Sequence, residues 1–117
     1  MLIKTIVDLL DANVLCGKEL LENEIHSACG SDMMSDVLAY VKEQAVLLTG
    51  LVNPQVIRTA MMMDMRCVVF VRGKNPSEDM IELAAENGLV LLSTAERLYV
   101  ACGKLYAAGL AGDGEQS

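Results

Sequence analysis

Between Ala45 and Ser93 the chain spells one supersecondary unit twice, and that repetition constrains the fold more than any other feature of its 117 residues. AVLLTG is followed by NPQVIRTAMMMD, then CVVFVRGK, then NPSEDMIELAAENG, then LVLLS. Each short apolar run is bounded by turn residues and followed by a helix-length amphipathic segment, the form that parallel βαβ units take in sequence. The runs AVLL, CVVFV and LVLL show no polar alternation. They read as strands covered on both faces, joined by crossovers that are expected to be right-handed.

The two Asn-Pro pairs set the helix starts. At Asn53-Pro54 and Asn75-Pro76 the asparagine oxygen can accept a free first-turn amide, and proline takes the first helical position, where its missing N–H costs nothing. Glu78 stands three residues after Asn75, completing a capping box, and Asn87-Gly88 supplies a left-handed end.

Outside this unit the patterns are shorter. Leu2, Ile3, Ile6, Leu9 and Leu10 share one helical face opposite Lys4, Asp8 and Asp11. Asn13 to Cys16 reads as a strand, Gly17 to Glu24 as a polar turn and Ile25 to Cys29 as a second strand. Ser31 or Asp32 is then placed to cap a helix that buries Met34, Val37, Leu38 and Val41. A closing helix is expected from Ser93 or Thr94, with Glu96 completing a capping box from Ser93, to about Ala108; residues 111–117 form a disordered tail. Residues 1–110 thus make a single α/β domain, a small, mostly parallel sheet of four to five strands with helices on both faces. It is large enough to need neither metal nor disulfide.

A net charge of −7 with dispersed Lys and Arg excludes nucleic acid as a partner, since binding its backbone needs a basic stripe. No apolar run approaches membrane-spanning length. Cys16, Cys29, Cys67 and Cys102 form no CxxC and are accompanied by a single histidine, so reduced, core-filling thiols in a cytoplasmic protein are expected, with no metal and no cofactor. Hydrophobic residues reach 53%, with eight methionines, and a small domain this apolar is expected to form a homodimer.

Parallel sheets bind ligands beyond the carboxyl ends of their strands, where helix N-termini offer amides to anions. Here that edge collects Ser31 and Asp32, then Thr49, Gly50 and Asn53, then Arg72, Gly73, Lys74 and Asn75, then Ser93 and Thr94. Together they form a candidate site for a small anion, with Arg72 and Lys74 as its cations. Turn glycines, capping asparagines and solvated cations would leave the same pattern.

Catalytic patterns are missing. His26 has no nucleophile motif near it. The pairs Gly17-Lys18 and Gly103-Lys104 are not P-loops: Ala12 and Leu98 stand where the upstream glycine is required, and Glu19 and Leu105 follow the lysines. Asp32 and Asp36 read as helix-start acids in preference to magnesium ligands. The methionines are distinctive in another way. If Val56, Ile57, Ala60 and Met61 face the sheet, then Met62, Met63 and Met65 are left for a deformable interface. Tyr99 and Tyr106 form a similar second stripe on the closing helix, beside Leu98, Cys102 and Leu105.

The segment Cys29-Gly-Ser-Asp-Met-Met-Ser-Asp-Val-Leu-Ala39, then AVLLTG, then NPQVIRTAMMMDMRCVVFVRGKNPSEDMIELAAENGLVLLST and the closing LYVACGKLYAAGL resemble the DRTGG domain family, from the opening helix to about Leu110. That family is similar to the amino-terminal, non-catalytic domain of bacterial HPr kinase and to the middle domain of some phosphotransacetylases, and it occurs beside CBS domains. Stand-alone members are frequent in anaerobic, fermentative bacteria, often encoded near iron hydrogenase components. The resemblance implies a non-enzymatic α/β module that regulates or senses a ligand. The Asp-Arg-Thr-Gly-Gly string that names the family is replaced here by Leu-Thr-Gly-Leu-Val-Asn-Pro. Two expectations follow: a dimeric sensor of a small anionic metabolite or nucleotide, or an interaction module for a redox or signalling partner with no small ligand.

Overall fold

Apolar residues at helical spacing alternate along this chain with five short runs of strand formers, and each becomes an element of one α/β sandwich. The computed structural model describes residues 1–40 and 44–110. Its strands are β1 (Asn13–Cys16), β2 (Ser27–Gly30), β3 (Ala45–Thr49), β4 (Cys67–Phe70) and β5 (Val90–Ser93). Its helices are α1 (Ile3–Leu10), α2 (Met34–Tyr40), α3 (Pro54–Met62), α4 (Glu78–Glu86) and α5 (Leu98–Ala107), with a 3-10 turn at Lys18–Leu20.

The sheet order is β1-β5-β4-β3-β2. Strands β2 to β5 are parallel, and β1 closes the β5 edge antiparallel, with a register irregularity between Val14 and Cys16. Side chains of the central strands alternate between two cores. Ala45, Leu47, Val68, Phe70 and Leu91 pack with Met34, Val37, Val56, Ile57, Ala60, Met80 and Ala84 of α2, α3 and α4. Val46, Leu48, Cys67, Val69, Val90 and Leu92 pack with Ile3, Ile6, Leu10, Ala101 and Leu105 of α1 and α5. Burial on both faces explains why these strands lack polar alternation.

Several boundaries move from where the sequence alone puts them. Asn53 does cap α3, accepting from the Gln55 amide at 2.8 Å. Asn75 does not cap α4: Ser77 does, accepting from the Met80 amide at 3.3 Å, and Pro76 is buried ahead of the helix. Gly88, at φ 69°, follows the end of α4 as expected. Strand β2 begins at Ser27 instead of Ile25, whose side chain is nevertheless fully buried.

The closing helix starts at Leu98, not at Ser93 or Thr94. Ser93 stays in β5 and donates to the Lys74 carbonyl, while Thr94 donates to the Leu10 carbonyl, so long-range bonds occupy both hydroxyls that the capping box needed. In α3, Met61 is exposed and the small Thr59 takes the buried place, while Met65 is buried in the core through the turn after the helix. Leu38 of α2 is exposed rather than buried. Val41 and the 111–117 tail lie outside the described residues.

Candidate functional site

Parallel pairing of β2 to β5 brings their carboxyl ends to one edge, and the residues that follow them decide what that edge can hold. After β2, Ser31 folds its hydroxyl back onto the Met33 backbone, and Asp32 turns toward β3. One Asp32 oxygen accepts from the Thr49 hydroxyl at 3.0 Å and from the Gly50 amide at 2.7 Å. Thr49 in turn accepts from the Leu51 amide. Asp32 is therefore a clamp between two strand ends and not the cap of α2.

After β4 the chain turns through Arg72 at φ 58° and Gly73 at φ 67°, closed by the Lys74 amide on the Val71 carbonyl. Two successive positive φ values around such a bond make a type I′ turn. Glycine adopts this region freely, whereas arginine does so at a cost of about 1–3 kcal/mol, which the surrounding bonds must offset. The Arg72 amide donates to the Glu96 carbonyl and the Gly73 amide to the Thr94 carbonyl, both at 2.8 Å.

The turn aims the Arg72 guanidinium across the neighbouring strand end. A methyl group on Gly50 would lie 2.7 Å from Arg72 Nη2, so the absence of a side chain at Gly50 is what admits it. Arg72, Ala95 and Arg97 line an open cleft of about 530 Å³. Among the described residues neither guanidinium has a carboxylate within ion-pair distance. Glu96, between them in sequence, is turned away to pair with Lys104.

The residues expected at this edge thus divide. Of these, only Arg72 lines the cleft, with Gly50 against its guanidinium and Gly73 beside it in the turn. Thr49, Ser93 and Thr94 are buried with their hydroxyls engaged inside the protein, which removes them as ligand contacts. Asn53 is occupied by its capping bond, and Ser31 and Asp32 by their own turn and clamp. Lys74 and Asn75 are exposed but do not line the cleft. Arg97 is not legible as a cleft residue in the sequence, because a capping box starting at Ser93 puts it inside a helix; its signal is an arginine in the loop after the last apolar run, as Arg72 follows the run before.

The exposed apolar residues lie elsewhere. Tyr99 (88% exposed) and Tyr106 (62%) project from α5, and Met62 (72%) from α3, on the opposite side of the sheet. Met63 is half-buried, and buried Met65 is withdrawn from any interface. Burial raises the thiol pKa of Cys16 and Cys102, and raises that of Cys67 furthest, with the nearby Cys16 adding to the effect on Cys67. Among the described residues no group of three or more His, Cys, Asp or Glu is placed to hold a metal, and no helix is long and apolar enough to cross a membrane.

A family model described as DRTGG domain matches residues 5–107. The fold is similar to a crystal structure of the CBS and DRTGG domains of the regulatory region of Clostridium perfringens pyrophosphatase, complexed with the activator diadenosine tetraphosphate. The two share 17% identity with a TM-score of 0.70, over 87% of this chain and 44% of that one. This chain therefore corresponds to less than half the length of that structure. No curated protein matches the chain.

Proposed function

The chain belongs to the DRTGG domain family, and on that premise we propose that it is a non-catalytic regulatory module that senses a small anionic ligand at the carboxyl edge of its parallel strands. The observation that carries this reading is the seating of Arg72. A non-glycine residue is held in the left-handed region by two backbone bonds, over a glycine, so that its guanidinium shares a cleft with Arg97. An acidic chain of net charge −7 that brings two guanidiniums to one cleft, with no carboxylate partner among the described residues, offers that place to anions.

The resemblance to a regulatory region solved with a nucleotide activator supports the class of role. His26 stands before β2, at the end of the sheet away from the cleft. A thermal-shift panel of nucleotides, acyl phosphates and coenzyme A derivatives tests the reading. A concentration-dependent rise in melting temperature is expected, lost on combining Arg72→Gly with Arg97→Ala; no rise with any compound would sink it.

The exposure of Tyr99 and Tyr106 along one face of α5 favours a second role for that helix, as the contact of a cytoplasmic homodimer or of a redox or signalling partner. Sedimentation analysis with Tyr106→Asp tests it: dimers that persist unchanged in the variant would remove α5 from the interface.

A further inference from the structure

The ligand class follows from what lines the cleft and what does not. Its walls are Arg72, Ala95 and Arg97: two planar five-donor cations and one methyl group. Among the described residues the lining contains no aromatic ring on which a base could stack, and no amide or carboxylate side chain to read a base edge. Guanidinium forks match the oxygens of phosphate in a bidentate fashion, and two of them facing one opening suit successive phosphates better than a single carboxylate. At about 530 Å³ the opening falls within the range of roughly 300–1,000 Å³ typical of small-molecule sites.

Resting on the sensor reading above, we infer that the cleft recognises a linear polyphosphate chain and is indifferent to the base or group attached to it. The Arg72 backbone is fixed by its turn, and Arg97 sits at the N-terminal boundary of α5, where a guanidinium, having donors only, keeps all of them for a ligand. Discrimination would then lie in the number of phosphates, each added one extending the ligand from one guanidinium toward the other.

Calorimetric titration of the wild-type chain with inorganic tripolyphosphate, ATP, GTP, AMP and acetyl phosphate tests this. Expected are dissociation constants for tripolyphosphate, ATP and GTP within about threefold of one another, and AMP and acetyl phosphate weaker by about tenfold or more. Arg97→Ala and Arg72→Gly should each weaken tripolyphosphate at least about tenfold, while Arg58→Ala on the outer face of α3 leaves it unchanged. Arg72→Gly keeps the left-handed turn, so its loss of binding cannot be ascribed to misfolding. Binding of ATP but not GTP, or of a nucleotide but not tripolyphosphate, overturns the polyphosphate inference and leaves the sensor reading standing. An Arg72-dependent response to acetyl phosphate equal to that of ATP does the same, and no binding by any of the five, together with a flat thermal panel, removes both.

Discussion

The Thr94 hydroxyl donates to the Leu10 carbonyl at 2.7 Å, joining residues 84 positions apart in a buried bond. The same oxygen accepts from the Glu96 amide at 3.2 Å. One threonine therefore ties the end of α1 to the loop that carries Arg97. Thr94→Val keeps the shape but leaves the Leu10 carbonyl and the Glu96 amide without this partner, and the expected loss is about 1–3 kcal/mol of unfolding free energy. Urea denaturation measures it; an unchanged midpoint would mean that the bond contributes nothing net.

Arg72→Gly is expected to separate folding from binding. Glycine adopts φ 58° without steric cost, which offsets its greater freedom in the unfolded chain, so the urea midpoint should hold or rise slightly. Arg72→Ala keeps the strain, and should be the less stable of the two. The opposite ranking would show that the left-handed conformation at residue 72 carries no net strain.

Gly30 and Cys102 form a close approach between β2 and α5. A methyl group at residue 30 would stand 2.5 Å from the Cys102 sulfur, inside contact distance. Gly30→Ala should cost about 1–3 kcal/mol through overpacking, and Cys102→Ala should recover most of it in the double variant. Additive losses in that cycle would place the strain somewhere other than at this contact.

The start of α4 is settled by a pair of substitutions. Ser77→Ala removes the observed capping bond and should cost about 1 kcal/mol, while Asn75→Ala should change stability by only a few tenths. Equal losses would give Asn75 a share in the helix start that the Ser77 bond does not account for.

Buried thiols make stability fall in alkali. Burial lifts the Cys67 pKa above its ordinary value of 9.0, so above about pH 9 the unfolded chain releases a proton that the folded protein retains. The stability associated with this group is fully present below pH 9 and declines as pH rises beyond it. Cys67→Ala should flatten that alkaline slope, measured by urea titrations from pH 7 to 10; an identical slope in the variant would assign the effect to other groups.

What could be read in advance, and what could not, divides along local and distant bonding. The runs that become β3, β4 and β5 and the Asn53 cap depend on neighbours in sequence, and they are legible there. The beginning of α5 is not. Ser93-Thr94-Ala95-Glu96 satisfies every local rule for a capping box, yet the hydroxyls are claimed by Lys74 and Leu10, partners that only the assembled sheet brings near. The same local pattern conceals Arg97. The antiparallel addition of β1 beside β5 pairs Asn13 with Ser93, and nothing in either short segment names the other.

The chain passes from the three-helix layer to the two-helix layer through the 94–97 loop. That loop is bonded to the Arg72 turn on one side and, through Thr94, to α1 on the other, and it leads directly into α5, which packs on α1. The cleft thus shares its backbone with the α1 and α5 side of the molecule: the residue after Arg97 opens α5, and the first hydroxyl of the loop is bonded to the end of α1.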